Sequence, residues 1–304
     1  MTLRDPIRAE AEVAAVADPG TDVAGLRREI ERLTAEIQRL TATVATERRT
    51  LDRELAIARR IQLSLMPTIA PVRPGWEIAS GYRAARTIGG DFYDVYGLGP
   101  EPEAPDAPIG LAIADVTGKG VTAALLMAFS RAVLRAAAYN ADGPLDALRR
   151  ANRVLATDVR AGLFLTALVG QLDPSNGRLR YASAGHEPPL IVRSGSPAVA
   201  ELPAGGSMVG LFAEFAGEDQ LVDLLPGDVV VWYTDGVTDA REASGVRFGE
   251  ARLRDVLERC TTVTSSAGLA AEGIVAAIFD AVDAFVAGEP QADDVTLLVI
   301  RRSG

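Results

Sequence analysis

Gly110-Leu-Ala-Ile-Ala-Asp-Val-Thr-Gly-Lys-Gly120 decides how the rest of the chain is read. An apolar run with strand character delivers one carboxylate, Asp115, to a glycine turn, and a helical pattern over residues 121–139 opens directly behind that turn. Three further acidic sites share this setting: Gly89-Gly-Asp91-Phe92, Tyr233-Thr-Asp235-Gly236 and Ala292-Asp293-Asp294-Val295. Strand ends bring residues distant in sequence to one edge of a sheet pair. The adjoining Gly89, Gly90, Gly118, Gly120 and Gly236 let backbone come close to an ion. Taken singly, each motif reads as turn chemistry, because Asp before Gly is a common turn residue and Asp-Asp a solvated strand start. Taken together they describe convergent aspartates. Several carboxylates in one place repel one another unless cations neutralise them, and all-oxygen sets suit hard divalent ions such as Mg²⁺ and Mn²⁺.

Outward from this stretch, strand character recurs over residues 76–83, 92–98, 109–116, 164–172, 179–184, 190–193, 220–225, 229–234 and 295–301. The separators are hairpin-like, as in Asp173-Pro-Ser-Asn-Gly177 and Leu225-Pro-Gly-Asp228. Helical patterns arrive in pairs between groups of strands, over residues 121–139 with 145–159 and over 249–260 with 268–287. Paired helices argue against a doubly wound parallel sheet, which needs one helix after every strand. The pattern predicts an α+β fold, an antiparallel β-sandwich flanked by helical layers (αββα), preceded by an N-terminal coiled-coil helix. The proline-rich, charged stretch 101–108 could not join a sheet and reads as a surface loop.

Residues 1–22 lack periodicity and read as a flexible leader. From Leu26 the apolar positions Leu26, Ile30, Leu33, Ile37, Leu40 and Val44 alternate steps of four and three, which is a heptad seam. Further on, Glu47 and Glu54 fall on the seam and Leu55 lies one position off it, so the phase shifts locally. The helix is expected over 23–66, a proline-broken linker over 67–75 and a folded domain over 76–304. So narrow an apolar stripe needs a cover, and a parallel homodimer through residues 24–66 is the first expectation. The alternative is an amphipathic helix folded back on its own domain.

Composition narrows the function classes. The chain has 304 residues and a formal net charge of −10, so phosphate-backbone contacts are not a source of affinity and nucleic acid is not an expected partner. No uninterrupted apolar run approaches membrane-spanning length, and a cytoplasmic protein is expected. Cys260 is the only cysteine and His186 the only histidine, which excludes intrachain disulfides, thiolate zinc centres and multi-histidine sites. His186, in a turn between two strands, reads as structural. Gly89-Gly-Asp-Phe superficially matches the diguanylate cyclase signature, but lacks the rest of that pattern. Gly118-Lys119 lacks the upstream glycine of a phosphate loop, whose place is taken by Ile113.

Six motifs in order resemble the PPM-type metal-dependent Ser/Thr protein phosphatases, in particular the RsbU/SpoIIE-like bacterial branch. They are Ile57-Ala-Arg-Arg-Ile-Gln-Leu-Ser-Leu-Met-Pro67, Gly89-Gly-Asp-Phe-Tyr-Asp94, Asp115-Val-Thr-Gly-Lys-Gly120, Ser183-Ala-Gly-His-Glu-Pro-Pro189, Tyr233-Thr-Asp-Gly-Val-Thr-Asp239 and Asp293-Asp-Val-Thr-Leu-Leu298. The resemblance covers about residues 55–303 and implies two divalent cations, Mn²⁺ or Mg²⁺. One would be served by Asp91, Asp115 and the carbonyl of Val116, the other by Asp115, Asp235 and Asp293, with Asp115 bridging. Asp94, Asp239 and Asp294 are candidates for supporting these ligands, and Arg83 or Arg86 for holding the phosphate. The implied reaction is attack of metal-activated water on a phosphomonoester. The implied substrate is phosphoserine or phosphothreonine on a STAS-type anti-anti-sigma factor in a partner-switching pathway, with a separate activating protein upstream. The rival reading is a catalytically silent phosphatase fold that binds partners and dimerises through its coiled coil.

Overall fold

The computed structural model describes residues 22–67, 69–158, 162–196, 198–262 and 269–304. The leader expected over 1–22 lies almost wholly outside the described residues, as do the ends of two expected helices, at Val159 and Gly268. The chain forms two compact units, residues 1–57 and 58–304.

The first unit holds most of one helix, α1 (Val23–Leu65), which continues into the second. Its seam residues Leu26, Ile30, Leu33, Ile37, Leu40 and Val44 are between 47% and 63% exposed. The flanking positions carry i,i+3 ion pairs, Glu29–Arg32 and Glu36–Arg39, each of which supports the helix only weakly.

In the second unit ten strands form two five-stranded antiparallel sheets. One sheet has the order β1 (Trp76–Arg83), β10 (Val295–Arg302), β9 (Val229–Tyr233), β6 (Leu190–Val192), β7 (Val199–Glu201). The other runs β2 (Phe92–Gly97), β3 (Ile109–Val116), β4 (Leu165–Asp173), β5 (Arg178–Ala184), β8 (Asp219–Asp223). This is the expected αββα architecture, and the strands predicted from sequence are found within one or two residues at most ends. Among the described residues, β7 is the strand that the sequence reading did not name.

Strand period sorts the core into three layers. Ile109, Leu111, Ile113, Val230, Trp232, Leu298 and Ile300 fill the space between the sheets. The alternate positions Val229, Val231, Tyr233, Leu297 and Val299 turn outward to meet Leu253, Val256 and Leu257 of α4 (Gly249–Thr262) and Ile274, Ile278 and Val282 of α5 (Ala271–Val286). On the other side Ala112, Ala114 and Val116 meet Met127 and Leu134 of α2 (Val121–Tyr139) and Leu148, Ala151 and Leu155 of α3 (Pro144–Asp158). Cys260 is a buried core residue.

Among the described residues, α2 is the one helix long and apolar enough to cross a membrane by length and composition, although Arg131 and Arg135 interrupt its apolar run. It is apolar for a different reason: Ala123, Leu126, Met127 and Leu134 pack on the sheet, while Arg131 and Arg135 pair with Asp94 of β2.

Candidate metal centre

Antiparallel pairing assembles the site. Phe92 of β2 lies opposite Ala114 of β3, so Asp91, just before one strand, and Asp115, near the end of the other, share a sheet end. Tyr233 of β9 lies opposite Leu297 of β10, which puts Asp235 and Asp293 at the corresponding end of the other sheet. Two threonines join the sheets there. The hydroxyls of Thr234 and Thr296 both donate to Asp91 Oδ2 at 2.7 Å, and Thr234 Oγ1 in turn accepts from the Thr296 amide at 3.0 Å.

The four carboxylates sit in one another's fields. Asp91 is 2% exposed; burial, then Asp115, then Asp294 hold it well above the usual carboxylate range, against the two threonine donors. Burial pushes Asp115 up to about 7; a hydrogen bond with the Asp91 carboxyl opposes this, and Asp235, Asp293 and Asp294 add to it. Asp235 is raised by burial, then by Asp293 and Asp239, while Lys119 pulls it down. A buried carboxyl pair in hydrogen-bonding contact needs a proton or a cation between its members. The donor set is all oxygen, so these residues fit a hard divalent ion.

The adjacent Asp293 and Asp294 have opposite fates. Asp294 is 8% exposed. It accepts from the amide of Ala85 at 2.8 Å through Oδ1, and from Gly90 at 2.6 Å and Asp91 at 3.4 Å through Oδ2, so it shapes the loop that presents Asp91. Asp293 is half-exposed at the cleft. Glycine is required where these loops meet: a Cβ on Gly236 would stand 1.8 Å from the Asp294 carbonyl oxygen, and one on Gly90 2.8 Å from the Val116 carbonyl oxygen. The Gly90 loop therefore lies directly against the carbonyl that the resemblance assigns to metal.

The remaining candidates lie in different surroundings. Asp94 faces the helical layer, bonded to Arg131 at 2.9 Å with Arg135 at 3.6 Å. Strand alternation explains this, since Asp94 shares the face of Phe92. Asp239 lies in the field of Asp235 but is bonded to Arg247 at 2.6 Å. Arg83 is occupied by Gln291 at 2.6 Å and Asp283, and stacks on Phe279. Arg86 is exposed and lines a small cleft with Gly89, Gly90, Asp115, Lys119, Asp293 and Asp294. His186 pairs through Nδ1 with Thr166 at 2.9 Å, and burial lowers it to about 4, so it is neutral. Among the described residues, no group of three or more His, Cys, Asp or Glu side chains is placed closely enough to hold a metal ion as it stands.

Sequence reasoning missed three contributors, all inside motifs it quoted. Thr234 and Thr296 were passed over because β-branched residues are expected in strands anyway. Gln62, on the last turn of α1, is buried; its amide donates to the Gly89 carbonyl at 2.7 Å and accepts from the Gly89 amide at 3.2 Å. The available signal was an uncharged polar residue, Gln62, between Ile61 and Leu63 at the end of the helix before Pro67.

Residues 105–303 match the family described as Stage II sporulation protein E (SpoIIE). The chain is 31% identical over 277 residues to Protein IcfG of Synechocystis, covering 82% of this chain and 42% of that protein. It is 28% identical over 251 residues to the phosphoserine phosphatase RsbU of Bacillus subtilis, covering 82% of this chain and 70% of that one. Against the SiaA-PP2C domain of Pseudomonas aeruginosa the TM-score is 0.71 at 22% identity, covering 84% of this chain and 98% of that structure. The chain thus spans less than half the length of IcfG.

Proposed function

Because this chain belongs to the SpoIIE family, we propose that it is a metal-dependent phosphatase acting on phosphoserine or phosphothreonine of a protein substrate. The observation that carries this is the convergence of Asp91, Asp115, Asp235 and Asp293 from four strands onto one sandwich edge, with Asp91 raised by burial and by Asp115, and Asp115 raised by burial and by Asp235 and Asp293. The likeness to RsbU, a phosphoserine phosphatase, supports the substrate chemistry.

Two divalent ions, Mn²⁺ or Mg²⁺, would supply an acidified water and neutralise charge on the phosphoryl oxygens. Asp91, Asp115 and the Val116 carbonyl would hold one ion, and Asp115, Asp235 and Asp293 the other. Thr234 and Thr296 aim Asp91 and favour its charged form, and Asp294 fixes the loop that carries it. Arg86, exposed on the cleft, is the better placed of the two arginines to receive a phosphate, since Arg83 is tied to Gln291 and Asp283.

The partner in this reading is a phosphorylated STAS-domain anti-anti-sigma factor in the cytoplasm. Residues 24–66 form a parallel homodimer, which the exposed heptad seam supports. An upstream activating protein acts through α1. On α2, Val121 and Leu125 are left exposed at 53% and 67%, and the route from α1 runs through the Gln62 clamp on Gly89.

The test is hydrolysis of p-nitrophenyl phosphate, then of phosphorylated STAS-domain proteins, with and without Mn²⁺. Activity should need added metal and be lost in Asp115→Ala. Full activity in excess chelator, or in that variant, refutes the mechanism. A folded wild-type protein silent on every substrate leaves the dimeric scaffold reading.

A further inference from the structure

Lys119 stands in the turn between Asp115 and α2. Its ammonium donates to Asp293 Oδ2 at 3.0 Å and to the Ala292 carbonyl at 3.0 Å, tying the turn after β3 to the turn before β10 across the two sheets. It thus engages one of the four carboxylates assigned to metal and also lowers the pKa of a second, Asp235. Of the two cations on the cleft, it is Lys119 that forms an ion pair with these carboxylates among the described residues.

The pair is built to be broken. Both side chains are nearly half-exposed, at 48% and 46%, so water screens the attraction and the pair is weak. Gly118 and Gly120, on either side, have φ of +98° and +76°; a Cβ on Gly120 would meet nothing within 4 Å, and one on Gly118 only Leu163 at 3.8 Å. Open space therefore flanks Lys119 on both sides.

We propose that Lys119 is a tethered surrogate cation, which occupies Asp293 in the metal-free protein and must be displaced by the divalent ion that Asp293 binds. This rests on the metal-centre reading above and adds to it a competition internal to the chain. The ammonium relieves repulsion among the carboxylates while no ion is bound, and it sets a threshold that metal must exceed. Because the displaced residue lies two positions before the first residue of α2, loading is reported directly to that helix.

Mn²⁺ affinity measured by calorimetry, with no phosphate present, tests the competition. Lys119→Gln should bind Mn²⁺ about two- to fivefold more tightly than wild type, the range that a half-exposed ion pair can supply. Lys119→Arg, which keeps the cation, should stay close to wild type. Arg86→Gln removes a positive charge from the same cleft without breaking the Asp293 pair, and should tighten binding less than Lys119→Gln. Circular dichroism and thermal melting establish that each variant is folded. Unchanged or weaker binding by folded Lys119→Gln overturns the proposal, as does equal tightening by Arg86→Gln, which would reduce the effect to the general field. Failure of wild type itself to bind Mn²⁺ would instead remove the metal-centre reading and this inference with it.

Discussion

Replacing Thr296 and Thr234 by valine separately tests whether the cross-sheet threonines hold the Asp91 carboxylate. Both threonines are buried, and both donate to the same oxygen at 2.7 Å. Valine keeps shape and strand preference, so the loss is confined to the hydroxyl. A hydrogen bond to a charged group is worth about 1.5–3 kcal/mol, against about 0.5–1.5 for a neutral pair. Thr296→Val removes one donor and should cost about 1.5–3 kcal/mol where Asp91 is ionised, and less at acid pH. Thr234→Val removes a donor and also the acceptor of the Thr296 amide, which adds about 1–3 kcal/mol for an orphaned buried group. The order of damage should therefore be Thr234→Val, then Thr296→Val. Urea unfolding in chelator at pH 8 and pH 5 measures the costs, and Mn²⁺ titration should show weaker binding in both variants. Equal costs for the two, or a Thr296→Val cost below about 0.5 kcal/mol at pH 8, would refute the reasoning.

In chelator, Asp115 should make the protein less stable as pH rises. Its carboxyl is raised from 3.8 to about 7 in the fold, so its contribution is full below about pH 4 and lost by about pH 7; the gap corresponds to about 4 kcal/mol. Melting curves of wild type against Asp115→Asn across that window should diverge in this sense, and parallel curves would contradict the assignment. Gln62→Ala should change metal affinity or turnover while leaving dimerisation intact, because it frees both backbone groups of Gly89; unchanged kinetics and metal binding would remove the clamp from the regulatory route. Leu33→Asp with Ile37→Asp should convert a dimer to a monomer by light scattering, the two positions being seam residues 47% and 63% exposed in the single chain. A wild-type monomer at micromolar concentration would count against the coiled coil.

Much of this molecule was legible in the sequence because its information is local and periodic. Period-2 runs gave the strands, paired period-3.6 runs gave the helical layers, and glycine beside aspartate marked the strand ends where carboxylates gather. What local pattern could not carry was direction and partnership. Asp293 and Asp294 are neighbours of the same type, yet one opens on the cleft and the other is buried under the amides of Ala85, Gly90 and Asp91. Asp94, three positions from Asp91, is turned by the pleat to Arg131 on the opposite face. Arg83 and Arg86 differ only in what the fold sets beside them, Asp283 and Gln291 in one case and the acidic cleft in the other. The pairing of Thr234 and Thr296 on Asp91 joins residues more than 140 positions apart, and that of Lys119 with Asp293 spans 174. Chain order sets which residues can reach a strand end, but which oxygen a hydroxyl or an ammonium meets there depends on how the two sheets face each other, and that is decided only when the core between them packs.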